Sequence, residues 1–225
     1  MLSERLKTVA KMVTKGNIVA DIGTDHGYVP IYLIENNICE RAYAMDINEG
    51  PIDIARNNIE IRGFGDKIKT IKSDGMDKLE DFMAQSVIIA GMGGDLIVNI
   101  LSRGENIHGI EELILSPHRR VDLVRDYLIV HNWEIIDEKM LVDGGKYYTV
   151  LRAKTAQKTT EYSEVEKKYG KILLGKKDKV LKQFLEKEYT KFEHILNTMK
   201  KSKSKNIVQI EQVLSLNREA YSIYD

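Results

Sequence analysis

Apolar residues recur along the first two thirds of the chain in two alternating patterns. Short β-prone apolar runs predict five strands, at 17–22, 41–45, 67–72, 86–90 and 112–116. Apolar residues at helical spacing predict four helices between and after them, at 28–37, 49–62, 93–103 and 120–130. An amphipathic helix capped by Ser3 is predicted to open the chain. This βαβα order predicts an α/β fold in which helices cover both faces of a mostly parallel sheet.

Two further alternating runs predict a different kind of strand pairing. Residues 133–141 and 146–152 are joined by Val-Asp-Gly-Gly, and such a turn between alternating runs is typical of a β-hairpin. The sheet is therefore expected to finish with an antiparallel hairpin. A doubly wound sheet with this ending resembles the S-adenosylmethionine (SAM) methyltransferase variant of the Rossmann architecture, whereas a nicotinamide-binding domain more often continues with parallel strands.

The character of the sequence changes after Ala153. Residues 154–160 are polar and are predicted to form a linker. Beyond them, apolar residues at helical spacing predict helices, of which the last two pack antiparallel as a coiled-coil-like hairpin. We therefore expect a first domain over residues 1–153 and a helical domain over 154–225, with the helical hairpin outside the first domain.

Composition narrows the class of protein. The 225 residues are 43% apolar, which is enough for a sizeable core, and the net charge is zero. Residues 155–225 nevertheless carry 15 Lys and Arg against 10 Asp and Glu. This basic tail indicates either a nucleic-acid or membrane contact or an ordinary solvated helical surface. Cys39 is the single cysteine, and the sequence shows no signal peptide or membrane-length apolar run, so we expect a cytoplasmic protein.

The most informative segment is the loop that follows the first predicted strand. Asp21 lies at the end of that strand, and Gly23 and Gly27 lie in the loop leading to the next helix. Ligands of open α/β sheets bind beyond the carboxyl ends of the strands, and glycine allows them to approach the backbone closely. The pattern D-x-G-x-x-x-G differs from the dinucleotide fingerprint G-x-G-x-x-G. It resembles the first motif of SAM methyltransferases, in which the glycine loop passes under the methionine part of the cofactor.

Three more strand ends carry candidate chemistry. Asp46 ends the second strand, where an acid either accepts the ribose hydroxyls of a nucleoside cofactor or caps the next helix. Asp74 and Gly75 follow the third strand; this pair either resembles the methyltransferase motif that binds the adenine amino group or forms an ordinary turn. The fourth strand runs into Ala90-Gly-Met-Gly-Gly94, at the position where methyltransferases hold the methyl acceptor.

Three of these segments in combination resemble one known family. Asp21-Ile-Gly-Thr-Asp-His-Gly-Tyr28, Ala90-Gly-Met-Gly-Gly94 and Gly144-Gly-Lys-Tyr-Tyr-Thr-Val150, followed by a basic helical tail, resemble the bacterial tRNA (adenine-22-N1)-methyltransferases. The resemblance covers about residues 1–153. It implies a Rossmann-like methyltransferase that transfers a methyl group from SAM to N1 of adenine 22 in tRNA.

The resemblance also implies a set of SAM-binding residues: Asp21, Gly23, Thr24, Asp25, His26, Gly27, Asp46, Ile47, Asp74, Gly75, Ala90, Gly91, Met92 and Gly93. Two positions depart from the family pattern. Gly27 stands where many relatives have alanine, and Ser116-Pro-His118 stands where they have Gln-Pro-Asn. Because of the second departure, no catalytic role is predicted for His118.

Four residues beside the expected methyl group are the catalytic candidates. Adenine N1 has a free lone pair at neutral pH, so the main task is to hold methyl, sulfur and N1 in line. Asp25 is a candidate for stabilising the cationic product. His26 either takes part in the chemistry or braces the loop, and Tyr28 either stacks on the base or covers the sheet edge. Met92 is expected to contact a face of the base.

Basic residues on the same rim and in the tail are predicted to bind the tRNA backbone: Arg119, Arg120, Lys176, Lys177, Lys179, Lys182, Lys200, Lys201 and Lys203. A solvated surface is the alternative for each of them. No metal site and no obligate protein partner is predicted. Four functions stay open from the residues alone: an RNA methyltransferase, a NAD-dependent oxidoreductase, a small-molecule methyltransferase and a catalytically silent SAM- or RNA-binding protein.

Overall fold

The computed structural model describes residues 2–157, 160–201 and 207–225. Its first part alternates helices and strands: α1 (Glu4–Lys11), β1 (Val19–Ile22), α2 (Tyr28–Glu35), β2 (Ala42–Asp46), α3 (Glu49–Ile61), β3 (Ile68–Lys72), β4 (Ser86–Ala90), α4 (Gly94–Arg103), β5 (Glu112–Ser116) and α5 (Val121–Val130). The predicted opening helix, five strands and four following helices are all present, and the ends of these strands and following helices lie within two residues of the predictions.

A long hairpin and four helices complete the chain. The hairpin consists of β6 (Trp133–Asp143) and β7 (Lys146–Thr155), and the helices are α6 (Glu164–Tyr169), α7 (Lys171–Gly175), α8 (Lys179–Lys201) and α9 (Ile207–Ser222). Lys154 and Thr155 pair with Glu112 and Trp133 within the sheet. The predicted linker is therefore wrong at these two residues, because both remain hydrogen-bonded strand. Residues 158 and 159 lie outside the described part of the chain.

The strands form one seven-stranded sheet in the order β3-β2-β1-β4-β5-β7-β6. The pairs from β3 to β5 are parallel, whereas β7 runs antiparallel to both β5 and β6. The predicted mostly parallel sheet with a terminal antiparallel hairpin is confirmed. Because the order reverses between β1 and β4, the carboxyl ends of these two strands flank the crevice where such sheets bind ligands.

Each face of the sheet buries its own apolar core. One core packs α4 and α5 against the sheet through residues such as Ile97 and Leu128. The other packs α1, α2 and α3 through residues such as Val9, Leu33 and Ile59. The β-strand residues alternate between the two cores, as the two-residue side-chain period of a strand requires.

The helical tail packs on the edge of the sheet through a third core. Val165, Tyr169, Leu174 and Leu185 form its centre, and Met140 of β6 packs against it. Helices α8 and α9 contact each other along their length, as the hairpin prediction expects. The tail is attached to the sheet as well, because α6 contacts α5 and both α7 and α8 contact β6.

Candidate functional site

The candidate site lies at the carboxyl ends of the parallel strands. Backbone hydrogen bonds join the loops that follow neighbouring strands: the amides of Gly23 and Thr24 donate to Met45 O, at 2.7 and 2.8 Å. The amide of Ser73 donates to Asp46 O at 2.8 Å, and that of Gly91 to Ser116 O at 3.1 Å. These bonds bring the four segments identified in the sequence to one edge of the sheet.

The loop after β1 is shaped by residues in the left-handed region. Gly23, His26 and Gly27 have φ values of 74°, 60° and 70°. Asn58 of α3 supports this conformation, because its Nδ2 donates to His26 O at 2.9 Å. A Cβ on Gly27 would lie 3.3 Å from the Cβ of Ala55, so the start of α2 packs closely on α3. The loop after β1 is therefore supported on the side that faces α3, and its opposite side is accessible.

Asp21 is a buried carboxyl group at the base of this loop. Burial raises its pKa to about 7, and the carboxylates of Asp25 and Asp46 act in the same direction. The sequence predicts Asp21 as a cofactor contact, but the rise of its pKa follows only from the tertiary environment. A cationic ligand group nearby would favour the ionised carboxylate.

Asp25, His26 and Tyr28 form a short chain of polar contacts on the open side of the loop. Asp25 Oδ1 lies 3.4 Å from His26 Nε2, and His26 Nδ1 lies 3.4 Å from Tyr28 Oη. The rings of His26 and Tyr28 meet edge to face at 5.3 Å between centroids. The ring and backbone contacts of His26 support a bracing role, while Tyr28, 43% exposed, has a free surface for an incoming ring.

Asp46 lies half-buried at the end of β2, next to exposed Ile47. Its Oδ1 accepts a hydrogen bond from the amide of Asn48 at 2.7 Å. The N-cap of α3 is Asn48 rather than Asp46. The capping alternative considered for Asp46 is therefore wrong in detail: the carboxylate shapes the turn before the helix and keeps lone pairs for a ligand.

Asp74 lies at the predicted strand end, but its carboxylate already has a partner. Arg103 of α4 donates to both of its oxygens, at 2.8 and 3.0 Å, and these hydrogen bonds lower the pKa of Asp74. Gly75 has φ 56°, and a Cβ there would lie 3.0 Å from Ile100. No sequence pattern indicated Arg103, which is distant along the chain and reaches Asp74 only through the packing of α4.

The glycine loop after β4 lies against the loop after β1. A Cβ on Gly23 would lie only 2.1 Å from Met92 Cε, so the methionine side chain occupies the space that glycine leaves open. Met92 is thus placed over the first glycine loop rather than in open solvent. Gly94 approaches the segment after β5 equally closely, since a Cβ added to Gly94 would lie 2.3 Å from Arg120 O.

Four side chains not identified as site residues lie beside this second glycine loop. A Cβ on Gly91 would lie 3.7 Å from Arg5 Nη2 and 3.8 Å from His118 Nε2. Tyr148 of β7 packs on both, with its ring centroid 5.3 Å from Arg5 Cζ and 5.5 Å from the His118 centroid. Ser116 Oγ is buried without a hydrogen-bond partner among the described residues. The pairing of β4 with β5 places Ser116 and His118 there, α1 adds Arg5, and the antiparallel hairpin adds Tyr148.

The two predicted arginines of the fifth strand end differ in their surroundings. Arg119 Nε lies 3.2 Å from the position of a Cβ on Gly93, at the rim of the site. Arg120 instead pairs with Asp122 and Asp95, at 3.5 and 3.7 Å. Next to Arg119 opens a cleft of about 610 Å³ between the sheet domain and helices α6, α8 and α9. The structure therefore favours the solvating interpretation for Arg120 more than for Arg119.

The predicted tail lysines form two groups at the ends of α8. In the first group, Lys176 pairs with Asp137 at 2.7 Å, Lys182 lies over the rings of Tyr221 and Tyr224, and Lys177 and Lys179 are exposed. In the second group, Lys200 pairs with Glu211 at 3.4 Å. Lys203 lies outside the described residues, and of Lys201 only the backbone is described. The 23 residues of α8 separate the groups by about 30 Å.

Metal-binding clusters and membrane-spanning helices are both absent from the described residues. In the segments 2–157, 160–201 and 207–225, no group of three or more His, Cys, Asp or Glu side chains is arranged to hold a metal ion. None of the helices in these segments combines the length and apolarity that crossing a membrane requires.

Comparison with known proteins agrees with this geometry. Residues 2–151 match the family model of a methyltransferase domain. The chain is 35% identical over 173 residues to the tRNA (adenine(22)-N(1))-methyltransferase of Bacillus subtilis strain 168, covering 76% of this chain and 73% of the relative.

Two solved structures superpose on nearly the whole chain. A Streptococcus pneumoniae structure in complex with S-adenosyl-L-methionine is 31% identical with a TM-score of 0.90, covering 98% of this chain and 100% of the other. TrmK of M. capricolum in complex with S-adenosyl-homocysteine is 30% identical with a TM-score of 0.88, and the match covers all of both chains. With the glycine loops and strand-end acids in the corresponding fold, this chain belongs to the family of SAM-dependent tRNA (adenine(22)-N(1))-methyltransferases.

Proposed function

We propose that this protein transfers a methyl group from SAM to N1 of adenine 22 in tRNA. The observation that carries the proposal is the meeting of the two glycine loops, after β1 and after β4, at the crevice of the sheet. One loop is suited to a cofactor and the other to a methyl acceptor, and Met92 joins them. The match to relatives of this activity over most of the chain supports the same reaction.

The residues at the sheet edge fit SAM. Gly23 and Gly27 leave the backbone of the first loop open to a ligand, and Asp46 has lone pairs free for two ribose hydroxyls. Ile47 offers an exposed apolar side chain beside Asp46, and Gly75 lies at the end of the neighbouring strand. We assign the predicted cofactor set to this surface, with Asp74 contributing through lone pairs that Arg103 leaves free.

When bound, SAM supplies an electrophilic sulfonium methyl group. The protein itself has to position the acceptor, because adenine N1 needs no deprotonation before it attacks. We assign Tyr28 to stacking on the base and Met92 to packing in the same pocket. Asp25 is placed to offset positive charge on the methylated base, and His26 holds Asp25 and Tyr28 in place. Since N1 lies on the Watson–Crick edge, the adenine must leave its pair or stack to enter.

The helical tail is proposed as a tRNA-binding domain that begins after β7. Exposed Lys177 and Lys179 near the start of α8, and Lys200 near its end, are proposed as two separate contacts for the tRNA backbone. The cleft beside Arg119 lies between the segment after β5 and helices α6, α8 and α9. A tRNA substrate also implies a cytoplasmic location, which agrees with the single, buried cysteine.

The direct test is methyl transfer from radiolabelled SAM to unmodified tRNA transcripts that contain or lack adenine 22. Incorporation only when adenine 22 is present supports the proposal. Incorporation without that adenine retains the enzyme class and changes the target nucleotide. SAM binding without incorporation would favour a silent binding protein or a small-molecule methyltransferase instead.

SAM affinity is expected to rise about tenfold between pH 6 and pH 8. Asp21 has a pKa of about 7, so its carboxylate, which attracts the cationic cofactor, forms over this range. The Asp21→Asn variant should lack this part of the pH dependence, and comparing the two proteins cancels the titration of SAM itself. Calorimetric titration at several pH values measures the difference; parallel pH profiles would contradict the role of Asp21.

The ionisation of Asp21 also affects the stability of the folded protein in the absence of SAM. The folded-state pKa of Asp21 lies above the usual value of 3.8, so ionisation disfavours the folded state as pH rises from about 4 to above 7. Asp21→Asn should therefore raise the melting temperature relative to the native protein at pH 8 and change it little at pH 4.

Replacing both Lys177 and Lys179 by glutamine should weaken tRNA binding without changing SAM affinity. Each lost phosphate contact lowers the slope of log affinity against log salt by about one. A matched control is the replacement of Lys67 and Lys69 by glutamine, because both are exposed at the β3 edge, far from the tail. Equal tRNA affinities of the two double variants, measured by filter binding over a salt series, would exclude this part of the tail from the interface.

A further inference from the structure

Two arginines on opposite sides of the second glycine loop form no ion pair with a carboxylate of the described residues. Arg5 reaches Gly91 from helix α1, and Arg119 reaches Gly93 from the segment after β5. Neither guanidinium forms an ion pair in the described part of the chain, and Arg5 Nη1 is buried without a hydrogen bond. Other arginines nearby differ, since Arg120 pairs with Asp95 and Asp122, and Arg103 with Asp74.

Arg5 is held in place without an ion pair to its guanidinium among the described residues, although its backbone amide and its charge lower the pKa of the nearby Asp143 carboxylate. Its backbone amide donates to Asp143 Oδ2 at 3.1 Å, and its guanidinium lies 5.3 Å from the ring centroid of Tyr148. These contacts fix the side chain between the β6–β7 hairpin and Gly91. A buried guanidinium nitrogen without an acceptor is costly, which points to an acceptor supplied by a ligand.

His118 lies near two cations. Partial desolvation and the neighbouring cations Arg5 and Lys146 lower the pKa of His118, whose Nε2 lies beside Gly91. A lowered pKa keeps His118 neutral at pH 7, so it does not add to the positive charge. This charge does not suit the cationic methylated base, but it suits an anionic group attached to that base. The phosphates on either side of the substrate nucleotide are such groups.

We propose that Arg5 and Arg119 clamp the phosphates that flank the target adenosine. The inference rests on the proposed function, adds Arg5 to it as a positioning residue, and gives Arg119, already predicted to bind the tRNA backbone, a phosphate beside the target nucleotide. The base then enters between the arginines, toward Met92 and the first glycine loop, while the ribose-phosphate chain stays at the rim. Arginine suits this task because its planar fork binds phosphate oxygens bidentately.

The test compares Arg5→Gln and Arg119→Gln with Arg41→Gln, an exposed arginine at the opposite, amino-terminal edge of the sheet. For each clamp variant we expect kcat/KM for tRNA to fall about tenfold and the salt slope of tRNA binding to fall by about one. SAM affinity should stay unchanged, and the control should behave like the native protein. Arg5→Lys should keep the salt slope and lose part of the rate, because it keeps the charge without the fork.

The outcomes separate this inference from the proposed function. If the native protein does not methylate tRNA, the proposed function fails irrespective of the arginines. If it does, and both glutamine variants keep the native salt slope, the phosphate clamp is wrong. A reduced rate with an unchanged salt slope would place Arg5 on the base instead and would also overturn the clamp. Should Arg5→Gln fail to fold, Arg119→Gln and Arg5→Lys decide, because Arg119 is exposed.

Discussion

Replacing Asp46 by alanine is expected to weaken SAM binding at least 100-fold. We have assigned the carboxylate at the end of β2 to accepting both ribose hydroxyls, and a hydrogen bond to a charged group contributes about 1.5–3 kcal/mol. Losing two such bonds corresponds to about 3–6 kcal/mol, a loss of two or more orders of magnitude in affinity. Calorimetric titration with SAM, or the SAM-induced shift in melting temperature, measures the change.

Asp46→Asn is the matched variant for this experiment. Asparagine keeps an oxygen that accepts from the Asn48 amide, so the turn before α3 is preserved while the charge is lost. We expect an intermediate affinity for this variant and a melting temperature near that of the native protein. An alanine variant that binds SAM as tightly as the native protein would remove Asp46 from the cofactor site.

Replacing Arg125 by methionine is expected to lower the free energy of unfolding by about 3–5 kcal/mol. Arg125 and Glu138 are both almost fully buried, with Nε and Oε1 2.8 Å apart. Arg125 Nη1 also donates to the carbonyls of Lys167 and Lys168, and Glu138 Oε2 accepts from the Ile172 amide. The variant leaves the Glu138 charge buried without its cation and removes the bonds that fasten α6 to α5.

Denaturant unfolding with matched variants tests this explanation. The double variant Arg125→Met/Glu138→Met should lose less stability than the two single variants together, because it buries no uncompensated charge. Arg56→Met is the control, since Arg56 pairs with Asp53 on the exposed surface of α3 and should contribute at most about 1 kcal/mol. A loss below 1 kcal/mol in Arg125→Met would contradict the structural role of the pair.

The buried Arg125–Glu138 pair also helps to join the two predicted domains. The sequence indicated a linker and a hairpin outside the first domain, and it gave no signal for Arg125 or Glu138. Both residues appear in the sequence as ordinary charges, one on a helix and one on a strand. Their pairing depends on α5, β6 and the α6–α7 segment meeting in space, which local patterns do not encode. The tail is consequently joined to the sheet by a buried polar network as well as by apolar packing.

The sequence by itself determined the elements, their order and the strand ends that carry the site. Apolar periodicity reports which face of a strand or helix is buried, and Gly23, Gly27, Asp46 and the Ala90–Gly94 loop stand at fixed positions relative to those strands. Parallel pairing then places the strand ends together, so the location of the site followed from local information.

Only the tertiary structure decided which side chains from distant segments meet at that edge. It placed Arg5 from α1 and Tyr148 from β7 beside Gly91, gave Arg103 to Asp74, and buried Asp21 until its pKa rose to about 7. Each of these results depends on the distances and solvent exposure created when separate elements pack. Sequence spacing carries no information about such contacts, because the residues involved lie tens of positions apart and belong to different elements.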